Sequence, residues 1–273
     1  FSIEYMKGDR SQPRFFAYIS LFTFMMLLLV LADNLIMLFA GWEGVGLVSY
    51  LLIGFWMTKP SAVFANLKAF LVNRVGDLGL LMGIAAIFYL TQTFDYSDIM
   101  RKFAQPSMAD AQLSVGSYQV SALEFICCTL FIGAMGKSAQ IPLHLWLPDS
   151  MEGPTPISAL IHAATMVTAG IFMVARFDDL FILAPHASSI ILVIGSTTAL
   201  LMGFVALVQR DIKKIVAYST LSQLGYMVTA LGLQAYNVAL FHLLTHAFFK
   251  ALLFLTAGAV ILVMDHKQDI FAM

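Results

Sequence analysis

The chain has 273 residues, of which 60% are hydrophobic and 11% charged, and its formal net charge is −1 at pH 7. Soluble domains carry about 25% charged residues, so this composition excludes an ordinary soluble protein and predicts one that crosses a membrane several times. The near-neutral charge excludes the basic surface of a nucleic-acid-binding protein. The only two cysteines, Cys127 and Cys128, are adjacent. That spacing fits neither a zinc nor an iron–sulfur site, and we interpret both as small buried side chains.

Eight apolar segments follow one another along the chain, each roughly 20 residues long, which is enough for a helix to cross about 30 Å of hydrocarbon. They predict an all-α polytopic membrane protein with about eight transmembrane helices, which short connections make antiparallel. The predicted spans are residues 15–32, 35–57, 69–90, 121–148, 154–176, 187–208, 214–233 and 238–264. Residues 93–120 form the one long polar connection. The first residue is not methionine and apolar segments continue to the end, so we expect a piece of a longer chain.

Basic residues in the predicted loops are distributed unevenly between the two sides of the membrane. One side carries Lys7, Arg10, Arg14, Lys59, Arg210, Lys213, Lys214 and Lys267. The other side carries Arg101, Lys102 and Arg176. Because positively charged loops stay in the compartment where the protein is made, we expect the first side to face the cytoplasm or the mitochondrial matrix.

The fourth predicted span, residues 121–148, contains a break. Pro142 lacks an N–H group and clashes with the carbonyl four residues earlier, while Gly133 and Gly136 weaken the same region. We therefore predict a discontinuous helix around residues 133–142, with Lys137 at the break. Irregular backbone persists at membrane depth only where it is buried in protein or lines a cavity, and many transporters build ion sites from such helices.

Glu43 and Lys137 are predicted near the middle of the second and fourth spans. We expect an ion pair between them, because an uncompensated buried charge is strongly unfavourable. A carboxylate that approaches or withdraws changes how tightly a lysine holds its proton. The pair could therefore capture and release protons. The alternative is a fixed ion pair that joins two helices.

Four further ionisable residues lie in the fifth and eighth spans. His162 could relay protons, because histidine titrates near neutral pH, or it could be a packing residue. His242, His246 and Lys250 are four residues apart and share one face of a helix. A lysine at such depth costs about 2.5–3.5 kcal/mol even on insertion scales, which favours a proton or ion path. The histidine spacing also suits zinc, but the neighbouring lysine would repel a metal ion.

Arg74 and Asp77 are three residues apart on the third span, and we expect them to bond to each other as a supporting charged pair. Glu124 is predicted at the membrane interface. Asp149 and Glu152 lie in a loop on the positive side, either as access groups or as plain surface. The sequence contains neither a nucleotide-binding motif nor a nucleophile elbow.

Five motifs resemble those of the antiporter-like membrane subunits of respiratory complex I, the proton-pumping NADH:quinone oxidoreductase. The likeness is to the largest of these subunits, called subunit 5 in mitochondria and chain L in bacteria, and it extends over essentially the whole chain. The motifs are GWEGVGLVSYLLIGFW (41–56), NRVGD (73–77), GKSAQIPLHLWLPDSMEGPTPISALIHAATMVTAGIF (136–172), KKIVAYSTLSQLGYM (213–227) and FHLLTHAFFKALLFL (241–255).

The resemblance implies proton translocation through an intramembrane relay. The matching residues are Glu43, Lys137, His162, His242, His246 and Lys250, with Arg74 and Asp77 as a supporting pair. It implies no cofactor or metal on this chain, since NADH, FMN, iron–sulfur clusters and ubiquinone or another quinone would be bound by other subunits. The expected partners are other membrane-arm subunits, especially the neighbouring antiporter-like subunit, and lipid. The expected location is the mitochondrial inner membrane or the bacterial plasma membrane.

The resemblance also implies an inverted-repeat bundle whose second repeat is incomplete. We expect a polar segment at residues 1–14, a first five-helix repeat at 15–178, three helices of the second repeat at 187–264, and a truncated loop at 265–273. Two alternative functions remain open at this point. One is secondary Na⁺ or other cation/H⁺ antiport without redox coupling, and the other is a structural fragment that conducts nothing.

Overall fold

The computed structural model describes residues 1–109, 111–116 and 118–273 as a bundle of helices with one small β-hairpin. Three short segments of tighter or wider helix interrupt the regular ones, at Asp149–Glu152, Leu160–Ala164 and Met166–Thr168. The elements are α1 (Ser2–Tyr5), α2 (Gln12–Val30), α3 (Leu35–Ile53), α4 (Pro60–Thr91), α5 (Tyr96–Phe103), α6 (Pro106–Ala109), β1 (Gln112–Val115), β2 (Tyr118–Ser121), α7 (Ala122–Lys137), α8 (Thr155–Ala159), α9 (Ala169–Arg176), α10 (Asp178–Ile182), α11 (Pro185–Leu207), α12 (Ile212–Gly232) and α13 (Tyr236–Val263).

All eight predicted spans correspond to helical segments, which confirms the prediction of a helical membrane protein. Within the described residues, six helical segments are long and apolar enough to cross a membrane. These are α2, α3, α4, the combined segment Thr155–Arg176, α11 and α13. The other two predicted spans are α7, which has only 16 residues, and α12, whose first turn carries two lysines. Helix α4 begins at Pro60 rather than at residue 69.

The all-α prediction misses the β-hairpin in the polar connection after α4. Strands β1 and β2 pair antiparallel, with Gln112 opposite Ser121 and Val115 opposite Tyr118. Backbone hydrogen bonds hold such a pair together, and they depend little on side-chain hydropathy. The pattern of apolar residues therefore gave no sign of it.

The core of the bundle surrounds the fifth span. In the segment Thr155–Arg176, 78% of the most apolar window is buried, compared with 17% in α2 and 28% in α11. Helices α2 and α11 are therefore peripheral, and α8, α9 and the irregular backbone between them are central. The centre of the bundle is thus built from a chain segment whose hydrogen bonding is not uniformly helical.

The predicted discontinuity in the fourth span is confirmed, but its glycines have a different role. Helix α7 ends at Lys137 and is followed by irregular turns and by the 3-10 turn Asp149–Glu152, here called the acidic turn. Gly133 and Gly136 lie inside the regular part of α7. A Cβ atom on Gly136 would lie 3.1 Å from the Cα of Gly76 on α4. These glycines therefore permit two helices to cross closely instead of weakening one.

The fifth span contains a second interruption that was not expected. Helix α8 passes into a π-helical turn at Leu160–Ala164 and then into the 3-10 turn Met166–Thr168. Between them, Thr165 adopts φ −125° and ψ −90°, and its hydroxyl donates to the carbonyl of Leu160 at 2.6 Å. Single π turns occur frequently at functional sites, and His162 lies in this one.

Glu124 joins the first part of the bundle to α11. Its carboxylate accepts hydrogen bonds from the backbone N–H groups of His186, at 3.0 Å, and Ala187, at 2.7 Å. The first N–H groups of a helix lack partners within the helix, and a negative charge there also interacts favourably with the helix dipole. Glu124 therefore caps a neighbouring helix.

Three of the residues predicted on the positive side of the membrane, Lys59, Lys213 and Lys214, meet at one end of the bundle. A cavity of about 450 Å³ opens there. Charged residues of its lining are Lys59, Lys213, Lys214, Asp9, Asp149, Glu152 and Asp211. At the opposite end, Arg176 donates to the carbonyl of Ala32 at 2.9 Å. Basic residues that were assigned to different sides of the membrane therefore lie at different ends of the bundle.

Candidate functional site

Helices α3, α4 and α7 bring Glu43, Arg74, Asp77 and Lys137 together, and we call these residues the four-charge cluster. Arg74 forms an ion pair with Glu43, and its Nη1 also lies 3.9 Å from Oδ2 of Asp77. The other carboxylate oxygen of Asp77, Oδ1, lies 3.5 Å from Nζ of Lys137. Asp77 is therefore placed between two cations.

The expected direct pair between Glu43 and Lys137 is wrong. Glu43 binds Arg74, and within the described part of the chain Asp77 is the one carboxylate at ion-pair distance from Lys137. The reason is the close crossing of α4 and α7, which places the residue after Gly76 beside the end of α7. The expected pair of Arg74 and Asp77 is present, but it is the longer of the two contacts that Arg74 makes.

Exposure decreases steadily across the four-charge cluster. The exposed fraction of the side chain is 42% for Arg74, 21% for Glu43, 7% for Asp77 and 1% for Lys137. The 3.5 Å separation between Lys137 and Asp77 exceeds that of a strong hydrogen bond. The Lys137 ammonium also lies 5.8 Å from the centroid of the Trp42 ring, where cation–π attraction is favourable. The charge on Lys137 thus depends mainly on Asp77.

Trp42 is a member of this site that sequence reasoning missed. Its Nε1 donates to Oδ1 of Asp77 at 2.8 Å, and both side chains are buried. The bond fixes the carboxylate in the position that faces Lys137. A signal existed, because an indole N–H can only donate and a buried indole therefore requires an acceptor. The sequence did not indicate which acceptor.

A second group of ionisable residues lies on α13, where His246 and Lys250 are buried and His242 is half-buried. The ring centroids of His242 and His246 are 6.5 Å apart, so the two histidines share a face as the spacing predicted. Lys250 donates from Nζ to the Ser219 hydroxyl of α12 at 2.6 Å. Ser219 is distant in sequence from Lys250, and no sequence signal linked the two.

The hydrogen-bond partner of His246 determines which of its ring nitrogens carries the proton. Its Nδ1 lies 3.0 Å from the backbone carbonyl of Ala163, in the π turn. A carbonyl oxygen can only accept, so Nδ1 carries a proton. Its Nε2 has no hydrogen-bond partner within the described residues. A neutral His246 can therefore receive a proton at Nε2.

His162 lies beside the acidic turn, between the rings of Trp146 and Phe254, whose centroids are 6.1 and 6.2 Å away. Its Nε2 lies 3.0 Å from the hydroxyl of Ser150, another residue that was not expected. No hydrogen bond within the described ranges connects His162 to His246 or to the four-charge cluster. The predicted polar row therefore consists of separate groups.

The described residues contain no arrangement of three or more His, Cys, Asp or Glu side chains that could hold a metal ion. The zinc spacing of His242 and His246 therefore has no third ligand within them. The chemistry that these residues can perform is the binding and release of protons.

Known proteins resemble this chain along nearly its whole length. The family model described as "NADH:quinone oxidoreductase/Mrp antiporter, TM" matches residues 32–273. NADH-quinone oxidoreductase subunit L of Neisseria meningitidis is 59% identical, over 98% of this chain and 40% of that protein. NADH-ubiquinone oxidoreductase chain 5 of Arabidopsis thaliana is 55% identical, over 98% of this chain and 40% of that protein. The chain thus spans about 40% of the length of these relatives.

Solved structures have the same architecture. A chain of the Mrp complex from Dietzia sp. DQ12-45-1b matches with a TM-score of 0.81 and 35% identity, over 90% of this chain and 26% of that one. A chain of the archaeal membrane-bound sulfane sulfur reductase matches with a TM-score of 0.84 and 20% identity, over 97% of this chain and 53% of that one, which supports the fold alone. Together with the family match over residues 32–273, these likenesses confirm the resemblance inferred from the motifs: the chain belongs to the NADH:quinone oxidoreductase/Mrp antiporter transmembrane family.

Proposed function

We propose that the chain is part of a proton-translocating membrane-arm subunit of an NADH:quinone oxidoreductase. The observation that carries the proposal is the burial of Lys137 and Lys250, each 1% exposed, inside an apolar bundle. Ionisable groups at membrane depth are energetically costly, and they are found mainly where they are paired or lie on an ion pathway. Lys250 has a hydroxyl for a partner instead of a carboxylate, so pairing alone does not account for it.

The four-charge cluster supplies an electrostatic mechanism. While Arg74 binds Glu43, the charge of Asp77 remains available to stabilise the protonated form of Lys137. If a charge change in a neighbouring subunit draws Arg74 toward Asp77, that stabilisation weakens and the buried ammonium loses its proton more readily. Redox energy released elsewhere would act through this exchange of partners. NADH, FMN, iron–sulfur clusters and quinone would be bound by other subunits.

The ionisable residues of α13 are the proposed acceptors of the proton. His246 offers an unpartnered Nε2, and Lys250 lies one helical turn away with its ammonium on Ser219. His162 lies beside the chain segment that holds His246. Proton transfer between these separate groups requires water or side-chain movement. The proposed relay therefore comprises Glu43, Lys137, His162, His242, His246 and Lys250, with Arg74 and Asp77 controlling Lys137.

The location and partners follow from the same proposal. The chain would lie in the mitochondrial inner membrane or the bacterial plasma membrane, with its positive side toward the matrix or cytoplasm. Its partners would be other membrane-arm subunits, including a neighbouring antiporter-like subunit. Arg74 is 42% exposed, and an exposed arginine at membrane depth is unfavourable against lipid. A polar neighbour is therefore expected beside it.

The second candidate function is secondary cation/H⁺ antiport without redox coupling. Its support is the 35% identity to a chain of the Mrp complex. Purification from the native membrane discriminates between the two functions. Co-purification with flavin and iron–sulfur subunits favours the first, and a complex free of redox centres favours the second.

Replacement of Lys250 by alanine is expected to lower the number of protons translocated per electron several-fold while electron transfer continues. The reason is that a methyl group cannot carry a proton from His246 onward. The measurement is proton uptake by inverted vesicles during NADH oxidation, with Lys7→Ala as the control. Lys7 is exposed, and within the described residues its ammonium pairs with Glu4 alone. An unchanged proton-to-electron ratio would support a purely structural role for the chain.

Replacement of Gly46 by alanine tests the position of Lys137 itself. A Cβ atom at Gly46 would lie 2.7 Å from Nζ of Lys137, so the ammonium group must move. The lysine side chain is flexible, and we expect assembly to be retained while proton translocation falls. Gly203→Ala is the matched control, because its nearest neighbour, the Ser222 hydroxyl, is 3.4 Å away. Equal translocation by both variants would contradict the requirement for this lysine position.

A further inference from the structure

The acidic turn is held by side chains from two separate helices. On one side, Lys68 of α4 donates to Asp149 at 2.6 Å and Ser61 of α4 donates to Glu152 at 3.1 Å. On the other side, Lys213 of α12 donates to two backbone carbonyls, Met151 and Gly153, the latter at 2.8 Å. The turn therefore bridges the helix that carries Asp77 and the helix that carries Ser219.

Among the side chains that hold the acidic turn, Lys213 is notable for its burial, because it is only 2% exposed. Within the described residues no carboxylate lies at ion-pair distance from its ammonium, which binds backbone oxygens instead. A buried ammonium without its hydrogen-bond partners is strongly unfavourable. The two carbonyls are therefore held where Lys213 can reach them, and the turn has little freedom to move while Lys213 is present.

Ser150 links the acidic turn to the imidazole ring of His162. Its hydroxyl donates to the carbonyl of Leu147 and lies 3.0 Å from Nε2 of His162. Since the one hydroxyl proton goes to the carbonyl, Nε2 must be the donor to Ser150. The turn thus fixes both the ring orientation and the tautomer of His162, and leaves Nδ1, which has no partner within the described residues, as the proton acceptor.

We propose that Lys213 is a positioning residue for His162: it clamps the carbonyls of the acidic turn and thereby holds Ser150 against the imidazole. The proposal rests on the proton-relay function proposed above. It adds that the turn couples α4 to α12, so that movement near Asp77 is transmitted toward the helix whose Ser219 binds Lys250. In this role Lys213 does not need to pass a proton to another group.

The test replaces Lys213 with methionine in the full-length chain, assembled with its partner subunits in inverted vesicles. Deuterium uptake of the peptide covering residues 149–153 is expected to rise, because the backbone there loses both hydrogen bonds that Lys213 donates. The number of protons translocated per electron is expected to fall several-fold. Lys214→Met is the matched control, since it removes the same charge one residue away and its ammonium makes no hydrogen bond within the described ranges. Lys213→Arg is expected to restore both properties, because guanidinium can also donate to two carbonyls.

The Ser150→Ala variant keeps the proposal testable even if Lys213→Met fails to assemble. It is expected to reproduce the loss of translocation, and combination of the two changes is expected to add nothing further. Normal deuterium uptake or normal translocation in Lys213→Met would overturn the proposal, as would additive losses in the double variant. If Lys250→Ala in the same vesicles also leaves translocation intact, the relay function fails. If only Lys250→Ala lowers it, the positioning role alone fails.

Discussion

Replacement of Asp77 by asparagine is expected to abolish proton translocation and to lower the amount of assembled complex. Asp77 is the one carboxylate within the described residues at ion-pair distance from Lys137, whose side chain is 1% exposed. Removal of one member of a buried ion pair costs about 3–5 kcal/mol, because the remaining charge is left uncompensated. The Trp42 N–H loses its charged acceptor in the same change.

A double variant separates the two effects of Asp77→Asn. In Asp77→Asn/Lys137→Met, the uncompensated ammonium is removed, and with it the main cost of breaking the buried pair. We expect native gels to show recovered assembly and vesicle assays to show no recovery of translocation. Translocation by either variant at the unmodified rate would show that Asp77 does not control Lys137.

Replacement of Gly76 by alanine is expected to have the second largest effect. A Cβ atom there would lie 2.9 Å from the Cα of Gly136, and since this contact is with backbone, one helix must shift. Overpacking of this kind costs about 1–3 kcal/mol. The residues that follow these glycines are Asp77 and Lys137, so separation of the helices lengthens the 3.5 Å contact between them. Translocation should fall more than the amount of assembled complex does.

The control for Gly76→Ala is Gly203→Ala, which adds the same methyl group where 3.4 Å is available. The proton-to-electron ratio and the amount of complex are measured in both variants. An unchanged ratio in Gly76→Ala would mean that the bundle tolerates a wider crossing of α4 and α7, and that the separation of the ion pair does not limit translocation.

The sequence predicted the fold well where hydropathy and proline chemistry decide it. The helices at all eight predicted spans and the break before Pro142 could be inferred. The π turn around His162 could not, because its residues, Leu160–Ala164, include neither a glycine nor a proline that would indicate a break. The hairpin was missed because backbone pairing forms it.

The ion-pair partners in the site were mispredicted because the sequence gives the depth of a side chain but not the rotation of its helix. Hydropathy and residue count give the depth of a side chain in the membrane, and by depth Glu43 and Lys137 were suitable partners. Rotation about the helix axis decides which side chains meet, and it is set by the crossing at Gly76 and Gly136. That rotation assigns Asp77 to Lys137. The contacts of Trp42 and Ser219 depend on helix rotation in the same way, whereas Ser150 lies in the acidic turn, whose position hydropathy does not predict.

The cap that Glu124 places on α11 has a consequence for biosynthesis. Chains emerge from the ribosome with the N-terminal part first, so α7 and its carboxylate are present before α11 is made. When the N-terminus of α11 appears, its free N–H groups at His186 and Ala187 meet an acceptor already in place. We therefore expect Glu124 to orient α11 as it enters the membrane, so that Glu124→Ala lowers the amount of correctly inserted chain.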